Sequence, residues 1–216
     1  MAIQAIVFDL GNVLVEFSHE PIARGLAQHA GKAQYSDPVE VARYLFHGGD
    51  AAETPFDEGQ ISPQDFFAQI SREMGLDLSY EAFVDIWNRI FHARPGADEI
   101  VRFLHGRVGL HLLSNTNALH FQYVLAQFPW VRLFDHWFLS YQVGCRKPSP
   151  QIYTCVLERV AFAPGQVLYL DDTETNLAPA REMGVQTILV PNGTPLREVL
   201  QAHLPHLPWG ECGVAP

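Results

Sequence analysis

Five runs of apolar residues mark the chain: residues 3–8, GLHLL at 109–113, HWFLS at 136–140, VLYL at 167–170 and QTILV at 186–190. Most are nearly continuous rather than alternating, the pattern of a strand buried on both faces. From Pro95 onward these runs are separated by helical segments. The spacing predicts helices at 97–105 and 118–127 and a helix opened by Ser149 and Pro150. In that helix Ile152, Val156 and Val160 recur every fourth residue. A further helix at 174–183 is stopped by Gly184. Helix–strand alternation with short connections predicts an α/β fold, a Rossmann-like parallel sheet covered by helices on both faces.

Between the first run and the second lies a long stretch with helical periodicity. Ser62 and Pro63 read as an N-cap and first helical residue, followed by Phe66, Phe67, Ile70 and Met74 at helical spacing and stopped by Gly75. Ser79 caps the next helix, where Tyr80, Phe83, Trp87, Ile90 and Phe91 share one face. Helices near 20–30 and 38–46 precede them. This block, inserted after the first strand, is expected to form a helical cap of residues 16–94. Residues 1–15 and 95–204 then form the Rossmann-like core, and 205–216 form a Pro-rich C-terminal tail, either disordered or docked through Trp209.

Composition narrows the function. Hydrophobic residues make up 48% of the 216-residue chain and charged residues 18%, as in a globular protein. The formal net charge is -10, with no Lys/Arg cluster, which argues against nucleic acid or a membrane surface as partner. The opening MAIQAIVFDLG carries no early Lys or Arg and meets an acid at residue 9, unlike a signal peptide. Three widely spaced cysteines, Cys145, Cys155 and Cys212, fit reduced thiols and a cytoplasmic location. Oligomeric state, monomer or homodimer, is left open.

The chemistry sits where apolar runs end. FDLGN places Asp9 after the first run, LLSNTN places Ser114 and Asn115 after the second, and LDDTETN places Asp171, Asp172 and Asn176 after the fourth. CRKPSP contributes Lys147. In parallel sheets ligands bind at the carboxyl ends of strands. Carboxylates, a hydroxyl and one lysine are the parts of a phosphoryl-transfer site. Adjacent Asp171 and Asp172 repel each other unless a cation compensates them, and magnesium takes oxygen ligands of this kind. Taken singly, each part also has a plain reading: Asp172 as a helix N-cap, Lys147 as a surface lysine, Ser114-Asn115 as an ordinary turn. It is their order and their common place at strand ends that point to chemistry.

These four stretches, FDLGN, LSN, RKP and DDTETN in order, resemble the motifs of the haloacid dehalogenase superfamily over residues 3 to about 191. FDLGNVL, LSNTN, RKP with the paired acids, and EGQIS at 58–62 are most similar to bacterial phosphatases acting on glucose 1-phosphate. They are more distantly similar to the phosphatase domain of soluble epoxide hydrolases. The resemblance implies a magnesium-dependent hydrolase of a small phosphomonoester. Asp9 would become an aspartyl-phosphate, and Ser114, Asn115 and Lys147 would hold the phosphoryl group. The Asp9 side chain, the Gly11 carbonyl, Asp172 and Asp171 would hold magnesium, Asp171 directly or through water.

One position departs from that pattern. Most phosphatases of the superfamily carry a second Asp two residues after the nucleophile, and here that position is Gly11. A general acid typically contributes ~100–10,000-fold. Glu16, His19 and His47 are the nearest substitutes in the sequence. Without any substitute, the rate would depend steeply on the acidity of the leaving group, which an anomeric sugar phosphate eases. Two other readings compete: a metal-independent dehalogenase, disfavoured by the paired acids, and a phosphate-ligand binding protein with little turnover, disfavoured by the retention of Asp9 and Lys147.

Overall fold

The computed structural model describes residues 2–211, which leaves Cys212 and the end of the expected tail outside the described residues. The first strand, β1 (Ala5–Phe8), is followed by a short strand β2 (Val15–Phe17). Then come β3 (Phe91–Ala93), β4 (Gly109–Ser114), β5 (His136–Leu139), β6 (Val167–Asp171) and β7 (Gln186–Leu189). Five of them form one sheet in the order β5-β4-β1-β6-β7, every neighbouring pair parallel.

The apolar runs are explained by what lies on each face. In β1, Ile6 and Phe8 enter one core with Leu110, Leu112, Leu168 and Leu170. Ala5 and Val7 point the other way, into a second core with Leu113, Val167 and Tyr169. With both faces covered by helices, neither set of alternating positions meets water. The central strand β1 is flanked by β4 and β6, so their carboxyl ends lie side by side.

The helices between residues 20 and 88 surround a third core of Ile22, Leu26, Val41, Leu45, Phe56, Phe66, Ile70, Phe83 and Trp87, joined by Leu119 from the helix Ala118–Gln127. The capping signals act as expected. Ser62 accepts from the Asp65 N–H, Ser79 from the Ala82 N–H, and Gly75 ends its helix in the left-handed conformation. Phe91 differs from expectation. It lies not on the helix, which ends at Asn88 and so leaves out Ile90 as well, but in β3, paired antiparallel with β2. This two-stranded ribbon, where the chain enters and leaves the inserted helices, is too short to show an alternating signal. Gly59, in EGQIS, marks a close approach: its φ is +68°, and a Cβ there would lie 2.1 Å from the Tyr141 carbonyl oxygen.

Past β7 the helix Leu196–His203 packs on the first core, and Trp209 is buried against Phe103 with its indole N–H donating to the Leu204 carbonyl. The expected tail is therefore docked as far as it is described. Among the described residues no helix is long and apolar enough to cross a membrane.

One buried polar residue in the sheet makes no compensating contact. His111 of β4 is stacked on His136 with ring centroids 5.4 Å apart, and among the described residues neither of its ring nitrogens finds a hydrogen-bond partner. Burial lowers its pKa to about 4, so it is neutral when folded, whereas an unfolded histidine charges near 6.5. The unfolded state therefore takes up the extra proton, and this group costs stability as pH falls from about 6.5 toward 4. His111→Leu is expected to raise stability by roughly 1–3 kcal/mol, the cost of an unpaired buried polar group. Thermal melts should show a larger gain at pH 5 than at pH 7.5.

Candidate active site

The carboxyl ends of β1, β4 and β6 open into a cavity of about 280 Å³. Asp9, Gly11, Ser114, Asn115, Lys147 and Asp172 line it from the sheet side, and Phe17, His19, Glu53, Asp57 and Phe91 line it from the inserted segment. The stretches singled out in the sequence are thus brought to one place.

Lys147 is at its centre. The side chain is buried, and its ammonium lies 2.8 Å from Asp9 Oδ1 and 2.7 Å from Asp171 Oδ2, with the Leu113 carbonyl at 3.3 Å. Burial disfavours the ammonium, but Asp9 and Asp171 outweigh it and hold its pKa above the usual lysine range. Asn115 fixes the Lys147 backbone from both sides. Its Nδ2 donates to the Lys147 carbonyl at 3.0 Å, and its Oδ1 accepts from the Lys147 N–H at 2.8 Å. The amide expected to touch substrate is therefore engaged in positioning Lys147.

The two carboxylates of LDDTETN face different surroundings. Asp171 is fully buried. Its Oδ2 accepts from Lys147 and the Tyr169 hydroxyl, and its Oδ1 from the Thr173 N–H and Asn176 Nδ2, so both oxygens are saturated. Asp172 lines the cavity and is steadied by Asn12 Nδ2 at 3.2 Å and the Thr173 hydroxyl at 3.1 Å. Asn12 takes a left-handed φ of 54°, which its short polar side chain tolerates. Arg94, at the exit from the inserted segment, braces this turn by donating to the Asn12 and Val13 carbonyls.

Asp9 divides its two oxygens. Oδ1 accepts from the Leu10 N–H at 2.7 Å and from Lys147, whereas Oδ2 has no hydrogen-bond partner among the described residues. Burial lifts its pKa from 3.8 to about 7, with Lys147 opposing the rise and Asp171 and Asp172 adding to it. Ser114 is also available. Its hydroxyl makes one long contact, 3.5 Å, to the Asn115 carbonyl. No donor among the described residues engages the Gly11 carbonyl.

Of the suggested substitutes for an acid at residue 11, only His19 lines the cavity. It stacks on Phe46 at 4.1 Å, and burial lowers its pKa to about 4, so it carries no extra proton near neutrality. Glu16 sits in β2 opposite His92. The missing side chain has a steric reason. A Cβ on Gly11 would lie 2.4 Å from Cε1 of Phe17, whose ring packs on Phe91 and His19.

A second polar group in the cavity has no signal in the sequence. Asp57 is buried, accepts from Asn117 Nδ2 at 3.0 Å and lies 3.5 Å from Arg146 Nη2. Asn117 is also the N-cap of its helix, accepting from the His120 N–H. The His120 ring stacks on Trp87 and meets its carbonyl at 3.0 Å. Arg146 stands next to Lys147 in the sequence, but its partner lies 89 positions upstream of it, and no local pattern joins the two.

The comparisons with known proteins agree with this geometry. A family model described as haloacid dehalogenase-like hydrolase matches residues 3–184. D-ribitol-5-phosphate phosphatase of Bacteroides thetaiotaomicron is 26% identical over 210 residues, 92% of this chain and 97% of that protein. Bifunctional epoxide hydrolase 2 of Mus musculus is 49% identical over 67 residues, 31% of this chain and 12% of that protein. A crystal structure of a HAD family enzyme from Bacteroides thetaiotaomicron, in complex with magnesium and inorganic phosphate, has a TM-score of 0.81 at 25% identity. It covers 92% of this chain and 99% of that one. The D-ribitol-5-phosphate phosphatase, matched along 92% of this chain, is named for ribitol 5-phosphate, not for the glucose 1-phosphate of the motif resemblance. With its parallel sheet, its acids at strand ends and a family match over most of its length, the chain belongs to the haloacid dehalogenase-like hydrolases.

Proposed function

We propose that the protein is a magnesium-dependent phosphatase that hydrolyses a small phosphorylated sugar or polyol through a phosphoryl group carried on Asp9. The observation that carries this reading is an imbalance of charge. Ligand atoms of Asp9, Asp171 and Asp172 lie within 4.8 Å of one another, and the ammonium among them is that of Lys147. A phosphate entering such a site adds more negative charge, which a divalent cation offsets.

The donor set fits magnesium because every available atom is a hard oxygen. The Asp9 carboxylate, through the oxygen that does not attack, Asp172 and the unengaged Gly11 carbonyl would hold the ion. Asp171, saturated by its own donors, would act behind them or through water. Bound there, magnesium supplies neutralisation of the acids and of the phosphate oxygens. Asp9 Oδ2 then attacks phosphorus in line with the leaving oxygen, while Ser114 and Lys147 hold the transferring oxygens. Water releases phosphate from Asp9 in the second half of the cycle. The cavity, about 280 Å³ and walled by Glu53, Asp57, Arg146 and His19, suits a small hydroxyl-bearing substrate. The relative named for D-ribitol 5-phosphate supports an acyclic polyol phosphate; the motif resemblance supports glucose 1-phosphate.

A panel of sugar and polyol phosphates assayed with magnesium, and with excess chelator, tests this reading. Turnover is expected with magnesium and loss of it with chelator. Full activity in chelator, or metal-free halide release from a 2-haloacid, would overturn it, the latter in favour of a dehalogenase.

Asp9→Asn separates chemistry from folding. The amide keeps Oδ1 for Leu10 and Lys147 but loses the anionic nucleophile, so turnover should fall to near background. Because folding raises the Asp9 pKa from 3.8 to about 7, the folded state holds the extra proton in that window and this group costs stability as pH rises through it. In chelator, Asp9→Asn is therefore expected to melt higher than the unmodified protein at pH 8. That advantage should vanish near pH 4.

A further inference from the structure

The attacking Asp9 stands at the end of β1, and phosphoryl transfer places the leaving oxygen in line with it on the far side of phosphorus. Beyond the sheet side, the cavity that must hold this leaving group is walled by the inserted segment. There the structure holds a carboxyl with no role in the steps so far. Glu53 lines the cavity and is 5% exposed. It occupies the N-cap position of the short helix Thr54–Asp57, yet its side chain caps nothing. No hydrogen bond to its carboxyl occurs among the described residues. The nearby Arg146 guanidinium is directed to Asp57 and to the Thr54 hydroxyl at 3.1 Å.

We propose that Glu53 is the proton donor that the Gly11 position lacks, delivering its proton to the leaving oxygen directly or through one water. This rests on the phosphatase reading. In the first half, an Asp9 oxygen bonds to phosphorus, the bond from phosphorus to the leaving oxygen breaks, and the Glu53 proton goes to that oxygen to give the free alcohol. In the second half, water attacks phosphorus, its proton returns to the Glu53 carboxylate, the bond to Asp9 breaks, and inorganic phosphate leaves. The cycle restores Asp9 as a carboxylate and Glu53 as an acid, and consumes one water.

The surroundings suit that role. Two carboxyls share one guanidinium: Asp57 takes Arg146 and Asn117, and Glu53 is left without a hydrogen-bonding donor. Burial, with Asp57 adding to it and Arg146 opposing it, pushes the Glu53 pKa well above the usual range, so that it holds its proton. Burial raises the Asp57 pKa as well, against Arg146 and Asn117; what separates the two acids is that Asp57 is held by those donors whereas Glu53 faces the cavity with none. The other cavity groups are unsuited. Burial lowers the pKa of His19 to about 4 and that of His120 to about 3, so both are neutral near pH 7.

The test compares leaving groups. A Glu53→Gln variant keeps the volume and removes the proton. Its kcat/KM, which reports steps up to formation of the phosphorylated Asp9, is measured with magnesium for a primary alkyl phosphate and for p-nitrophenyl phosphate. The alkyl ester needs a proton on its leaving oxygen and the nitrophenolate does not. The alkyl-to-aryl ratio is expected to fall by about 100-fold or more, the lower range of general-acid effects. Parallel losses on both esters, or no loss on either, would overturn the role of Glu53. The unmodified protein provides a second measurement that needs no variant to fold. Across a series of alkyl and aryl phosphates its kcat/KM should vary only shallowly with leaving-group acidity, and a steep dependence would show that no acid is in place. If the unmodified protein hydrolyses no phosphomonoester, the phosphatase reading fails and takes this role with it. Turnover with an unchanged ratio removes Glu53 alone.

Discussion

The buried ammonium of Lys147 is the constraint on which the rest of the site depends. A charge taken out of water is tolerable only when its partners are fixed and close. Here the partners come from three strand ends: Asp9 after β1, the Leu113 carbonyl in β4 and Asp171 at the end of β6. Asn115 holds the backbone of Lys147, and Tyr169, Thr173 and Asn176 hold Asp171. The register of the sheet and the geometry of the site are therefore one arrangement. A slip of one residue in β1 or β6 would send its acid to the wrong face.

The same economy of contacts seats the inserted helices. Asn117 caps the helix after β4 and also reaches Asp57; His120, in the first turn of that helix, stacks on Trp87. One short stretch of the α/β core thus grips two elements of the insertion, and Arg146 adds a third contact from the residue beside Lys147. The wall facing the sheet is seated by Asn117, His120 and Arg146, which stand within a few positions of Asn115 and of Lys147 itself.

This division accounts for what is legible in the sequence. The ends of β1 and β6 are legible because a buried apolar run that stops on an acid is costly unless a counter-charge or ligand meets that acid. Helices 63–74 and 80–88 are legible from caps and periodicity, because those signals are local. Glu53, Asp57 and Asn117 are not, since their meaning lies in contacts across 60 or more positions that only the seating of the insertion creates. Tyr169 is hidden for a different reason. Inside VLYL it reads as one more core residue, and its hydroxyl matters only because Asp171 is two residues on and therefore on the same face. Asn115 is visible beside Ser114, but its neighbour in space is the Lys147 backbone, which a substrate-contacting role does not foresee.

Gly11 joins the sheet side of the cavity to the insertion. Its φ is not positive, so backbone torsion does not demand glycine there; the ring of Phe17 does, by filling the space that a Cβ would need. Phe17 belongs to β2 and packs on Phe91 of β3, the two strands through which the chain enters and leaves the inserted helices. An acid at residue 11 would belong to the sheet side of the cavity and stay there whatever the insertion does. A proton donor at Glu53 travels with the insertion. Loss of its seating, through Asp57, Asn117 and Arg146, would withdraw the donor and admit water in the same movement. A donor at Glu53, as proposed, would thus make proton transfer conditional on the seating of the insertion. Expulsion of the leaving oxygen as an unprotonated alkoxide would then be disfavoured until the cavity is closed around the substrate.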